Sequence, residues 1–138
     1  MNIRDLTTAR QYSLIQRGVR DGLLKFVDED VCYVVQGKRY RFLDPEEPVR
    51  ASTYLELVYK HNYSPDRIGF EVAAPRREPK LPADIVVWSR DDPVEAFIVV
   101  EVKASLSDRA AAIREAIGNA ALLSAPWMVV VCGEEHAA

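Results

Sequence analysis

The residues of this 138-residue chain whose types and spacing could do chemistry are Asp84, Glu101 and Lys103. Side chains alternate along a strand, so in the apolar run ending Val99-Val-Glu-Val-Lys103 the two charged residues share one face, and Val100 and Val102 take the other. Asp84 heads the preceding strand-like segment, with Val86 and Trp88 on its own face and Ile85 and Val87 opposite. If the connection Arg90-Asp-Asp-Pro-Val94 turns symmetrically about Asp92-Pro93, position 90 faces 95 and Asp84 faces Glu101. Directly opposed Cα atoms are roughly 5 Å apart.

Two carboxylates that close repel each other unless one is protonated or a cation lies between them. A divalent cation is the economical solution. Mg²⁺ takes a few carboxylate oxygens, keeps several waters and accepts phosphate oxygens, so it polarises a phosphodiester and lowers the pKa of bound water. Lys103 then serves as a compact cation that orients the water or stabilises charge on the transition state. The plainer alternative is an ion pair of Glu101 and Lys103 on a solvated sheet face, with Asp84 ending a turn. Against it, the run Ala96 to Val102 reads as buried on both faces, where charges are costly without a partner.

The elements that position these residues follow from periodicity and punctuation. Asp44 caps a helix, Pro45 supplies its first-turn φ, and Glu46 and Glu47 favour its positive end. Val49, Thr53, Tyr54, Leu57 and Val58 recur at helical spacing until about His61, and Asn62 to Pro65 stop the helix. A strand follows from Arg67 to Ala73. Pro75, Pro79 and Pro82 then stiffen a loop carrying Arg76, Arg77 and Lys80, where they are placed to contact backbone phosphates or simply to be solvated. Strands Ala83–Ser89 and Glu95–Lys103 come next, then a helix from Asp108 to about Leu123 capped by Ser107, and a last strand Trp127–Cys132 with Trp127 in the core.

This α-β-β-β-α-β order is a mixed α/β sheet: the tight turn makes an antiparallel hairpin, and the helical crossover makes a parallel pair. Ahead of it, Thr7 to Val19 form a helix with Thr8 as N-cap, weakened by Gly18 and Gly22, and Leu23–Val27, Val31–Val35 and Arg39–Phe42 form a β-meander. The chain reads as a single domain, with a β-rich extension over about 1–43 and a core over about 44–133, and suits a piece of a longer polypeptide.

Composition narrows the field. With 49% hydrophobic and 28% charged residues the chain is globular, and no apolar run is long enough to span a bilayer or to serve as a signal peptide, which makes the cytoplasm the expected location. Cys32 and Cys132 lack neighbours at metal-ligand spacing and read as buried thiols. His61 and His136 have no partners at catalytic spacing, and Tyr54, Tyr59 and Tyr63 read as packing residues. A net charge of −3 gives no whole-protein basic field for nucleic acid. No phosphate-cradling glycine loop or nucleophile elbow is present.

The pattern Ala83-Asp84-Ile-Val-Val, a turn, Phe97-Ile-Val-Val-Glu101-Val-Lys103, a helix and Pro126-Trp-Met-Val-Val-Val resembles the PD-(D/E)XK nuclease core. More narrowly, Pro45-Glu-Glu-Pro-Val-Arg50, Tyr54-Leu-Glu-Leu-Val-Tyr59 and Tyr63-Ser-Pro-Asp-Arg-Ile68 are similar to the N-terminal domain of type I restriction enzyme R subunits. The resemblance implies a restriction-endonuclease-like fold and a Mg²⁺-dependent DNA endonuclease, with Mn²⁺ as a substitute metal. Asp84 and Glu101 would be the metal ligands and Lys103 the catalytic cation. It also implies a supporting glutamate from the first core helix, Glu47 by position, with Glu46 and Glu56 as rivals. Partners would be DNA, and methylase and specificity subunits or a helicase region of a longer chain. Where relatives carry Gln-Ala-x-x-Tyr-Ala after the Glu-x-Lys strand, this chain has Glu115-Ala-Ile-Gly-Asn119-Ala. Glu115 and Asn119 thus stand at the supporting positions, and the added negative charge changes how a phosphate approaches. The departure, with the acidic net charge, favours as the alternative a catalytically impaired module that keeps the fold for DNA binding or subunit docking.

Overall fold

The computed structural model describes residues 1–78, 80–90 and 95–133. The expected turn centre at Asp92-Pro93, the loop residue Pro79, and His136 lie outside these residues. Helix α1 (Ala9–Arg20) opens with a capping box, Thr8 accepting from the Gln11 N–H while Gln11 returns a bond to the Thr8 backbone. Gly22 at φ 76° closes it, with the Leu23 and Gly22 amides donating to the Gly18 and Val19 carbonyls. Gly18 is a packing residue as much as a helix weakener. A Cβ there would lie 2.8 Å from a Leu55 methyl, so its absence lets α1 approach α2 (Glu46–Tyr59).

Strands β1 (Leu24–Val27), β2 (Asp30–Tyr33) and β3 (Lys38–Arg41) form the antiparallel meander. The second strand is shorter than the expected Val31–Val35, since Val34 and Val35 lie in the turn beyond it and are exposed. The larger sheet runs β4 (Ile68–Val72), β5 (Ala83–Trp88), β6 (Ala96–Lys103), β7 (Trp127–Cys132), antiparallel except for the parallel β6–β7 pair bridged by α3 (Arg109–Leu123). This is a mixed α/β architecture of the restriction-endonuclease-like kind. The meander and one face of the larger sheet share a core around α2, in which Leu24, Val31 and Tyr33 join Tyr54, Phe70, Ile85, Val100 and Val102. The opposite face packs Val86, Val99 and Ala120 under α3.

Three expectations are corrected. Ser107 does not cap α3: Ser105 caps a short 3-10 turn over Leu106–Asp108, and α3 continues from it without a side-chain cap. Trp127 is not a core residue. β7 is the edge of the sheet, and Trp127, Met128 and Val129 are exposed on it. Cys32 and Cys132 are half-buried free thiols, not fully buried ones.

Candidate active site

The geometry of the site is set by the β5–β6 register. Ile85 pairs with Val100 and Val86 with Val99, which carries Asp84 opposite Glu101 at the end of the ladder. The hairpin is not symmetric throughout. A bulge between Val87 and Trp88 shifts the far end, so Trp88 pairs with Ala96 and the Ser89 amide donates to Glu95 O. The irregularity lies away from the carboxylates and leaves their opposition intact.

Asp84 is anchored by its Oδ2, which accepts from the Val102 backbone N–H at 2.8 Å. Glu101 is fully buried in β6, whose residues from Val99 to Val102 are all buried. Its Oε1 accepts from Asn119 Nδ2 at 2.9 Å, while its Oε2 accepts from no donor among the described residues and has the Asp84 carboxyl as its hydrogen-bonding neighbour. Burial, followed by the adjacent Asp84 carboxylate, pushes the Glu101 carboxyl up to about 9. Burial also raises Asp84, while Glu101, the Val102 amide and the Arg50 charge pull it back. Burial and the neighbouring carboxyl therefore favour the protonated form of Glu101 near neutral pH.

Lys103 leaves the same strand face at the mouth of the site. Its Nζ donates to Glu115 Oε1 of α3 at 3.3 Å and lies 3.9 Å from Glu46 Oε1 of α2. Partial burial would lower its pKa, but Glu115, Glu46 and Asp84 hold the ammonium above its ordinary value. Glu115 is thus set against the lysine. Asn119 touches Glu101.

The two first-turn glutamates of α2 separate. Asp44 Oδ1 accepts from the Glu46 amide and fixes the helix start. Glu46 turns to the site, raised by burial and facing Lys103, Asp84 and Glu115. Glu47, favoured by position in the sequence, turns away: it is buried in an ion pair with Arg50 and accepts from Tyr33 Oη at 3.0 Å. Glu56 pairs with Arg10 on the α1 side.

Sequence reasoning missed Arg50 and Glu71. Arg50 is buried, stacks 4.1 Å from the Tyr40 ring centroid, and donates to Glu71 Oε1 at 2.7 Å. Phe70 pairs with Ile85 and Val72 with Ala83, so Glu71 stands across from Asp84 but drops out of the ladder at φ 52°. A glutamate in the left-handed region beside a carboxylate pair is a strained feature of the kind concentrated at functional sites. The only signal available beforehand was an arginine set among apolar neighbours, Val49 and Ala51.

In the basic loop, Arg76 and Lys80 are exposed, whereas Arg77 is half-buried against α3. Among the described residues no group of three or more His, Cys, Asp or Glu side chains converges as a metal-binding cluster. Asp84 and Glu101 nonetheless fit a divalent cation of the magnesium type, which takes one or two protein carboxylates and fills its other positions with water and phosphate. Glu101 Oε2, which accepts from no protein donor, is the oxygen such an ion would satisfy.

A mixed sheet that brings an Asp on one strand against a Glu-x-Lys on its hairpin partner, under a crossover helix, is the arrangement of the PD-(D/E)XK nuclease class. The family model for the type I restriction enzyme R protein N terminus matches residues 45–138, and the chain belongs to that family. Neither a curated protein nor a solved structure matches it. No helix among the described residues is long and apolar enough to cross a membrane.

Proposed function

We propose that the chain is a metal-dependent DNA endonuclease domain of the type I restriction R-subunit kind, with Mg²⁺, or Mn²⁺ in its place, held by Asp84 and Glu101. The observation that carries the reading is the opposed carboxylate pair, Asp84 half-buried and Glu101 fully buried, in which Glu101 Oε2 accepts from no protein donor. When bound, the metal supplies Lewis acidity toward a phosphodiester oxygen and acidifies water. The side chains supply the rest. The Val102 amide fixes Asp84 and Asn119 fixes Glu101, which would release its proton to hold a cation. Lys103 puts an ammonium at the mouth of the site to orient the attacking water or offset charge on the scissile phosphate, and Glu46 and Glu115 hold that ammonium in place.

Glu46 rather than Glu47 takes the supporting role on α2. DNA is the substrate, and site choice and translocation belong to the methylase, specificity and helicase parts that such systems combine. Isothermal titration of the chain with Mg²⁺ or Mn²⁺, repeated on Asp84→Ala, tests the reading. Binding by the wild type that is lost in the variant is expected. A wild type that binds neither ion removes the metal mechanism and leaves a docking or DNA-binding module.

A further inference from the structure

Gly118 sits inside α3, where glycine weakens a helix relative to alanine and where no positive φ calls for it. The space above it is taken. A Cβ built on Gly118 would overlap the Arg77 guanidinium, with Cζ 2.7 Å and Nη2 2.9 Å away. Arg77 thus lies flat on the helix at the one position where the missing side chain admits it. It is half-buried there, and its guanidinium has no hydrogen-bond or ion-pair partner among the described residues.

The seat adjoins the site. Gly118 precedes Asn119, whose amide holds Glu101, and lies one helical turn beyond Glu115, which holds Lys103. Arg76 and Lys80 have no comparable seat: both are exposed on the loop. A planar guanidinium presents a fork of donors that matches two phosphate oxygens, and partial burial fixes it before a ligand arrives. We propose that Gly118 is a seat that aims Arg77 at a backbone phosphate of the DNA strand flanking the one that is cut. The proposal rests on the nuclease reading above.

The contact is to phosphate and carries no base information, so it positions the strand and is felt in binding rather than in sequence choice. Arg77→Ala removes the donor. Gly118→Ala keeps the donor and fills its seat, and because the clash falls on the far end of a flexible side chain the helix keeps its fold.

The test is the salt dependence of binding to a duplex oligonucleotide in Ca²⁺, read by fluorescence anisotropy, with thermal unfolding of each variant alongside. Arg77→Ala and Gly118→Ala are each expected to weaken binding by about three- to tenfold and to lower the log–log salt slope by about one. The double variant should be no weaker than Arg77→Ala, and Gly118→Ala should melt at or above the wild-type temperature. Gly118→Ala binding like wild type while Arg77→Ala is weak overturns the seat. Wild-type binding in both variants overturns the phosphate contact while leaving the nuclease reading intact, and a wild type that binds no duplex overturns both.

Discussion

Asn119 Nδ2 donates to Glu101 Oε1 at 2.9 Å, and each of the two residues keeps one buried oxygen, Asn119 Oδ1 and Glu101 Oε2, that accepts from no donor among the described residues. Burial beside the Asp84 carboxyl is costly for the charged form of Glu101. Stability is given up at the place where a cation would recover it.

That cost has a pH signature. Glu101 is raised to about 9 when folded, against an ordinary carboxyl when unfolded. Between those values the folded state binds more protons than the unfolded one, so without metal the stability falls as pH rises through the window. Glu101→Gln removes the titration while keeping the Asn119 bond. At pH 8 without metal the variant should exceed wild type by on the order of 1–3 kcal/mol, with the gap closing toward pH 5. Denaturant unfolding at the two pH values checks this, and a gap that widens on acidification contradicts it.

Glu46 and Glu47 should separate by phenotype. Glu47→Ala leaves buried Arg50 with Glu71 alone and is expected to cost about 3–5 kcal/mol of stability. Glu46→Ala breaks a half-exposed 3.9 Å contact and should cost less than about 1 kcal/mol while lowering cleavage. Thermal melts and plasmid cleavage on both variants decide; loss of activity in a fully stable Glu47→Ala would reverse the assignment.

Glu115→Gln removes one negative charge facing Lys103 while keeping the length of the side chain. DNA binding at low salt should tighten by on the order of threefold, with the difference fading as the salt screens it. A weaker complex would instead make Glu115 the residue that positions the lysine.

Much of the architecture was legible because it rests on periodicity. The α-β-β-β-α-β order, the antiparallel hairpin and the parallel crossover follow from apolar runs and their punctuation, and β5 and β6 carry Asp84 opposite Glu101 as the register of a symmetric hairpin implied, although the turn end departs from that symmetry. The bulge at Val87 and Trp88 was not legible, because one inserted residue leaves both apolar runs looking continuous. Position near the helix start favoured Glu47 over Glu46, but successive helical positions send the two to different sides. The Arg50–Glu71 bond depends on a left-handed glutamate that no turn residue announces. Trp127 was misplaced because an apolar strand at the edge of a sheet has the same composition as one in its centre.

If the opposed carboxylates and Lys103 form the active centre, DNA cleavage depends on all three side chains. Supercoiled plasmid incubated in Mg²⁺ with wild type, Asp84→Ala and Lys103→Ala, each purified identically and shown to be folded, measures this directly. Nicking by the wild type is predicted, with loss by about a hundredfold or more in each variant. Equal nicking by all three, or none by a wild type that binds the metal, would contradict it.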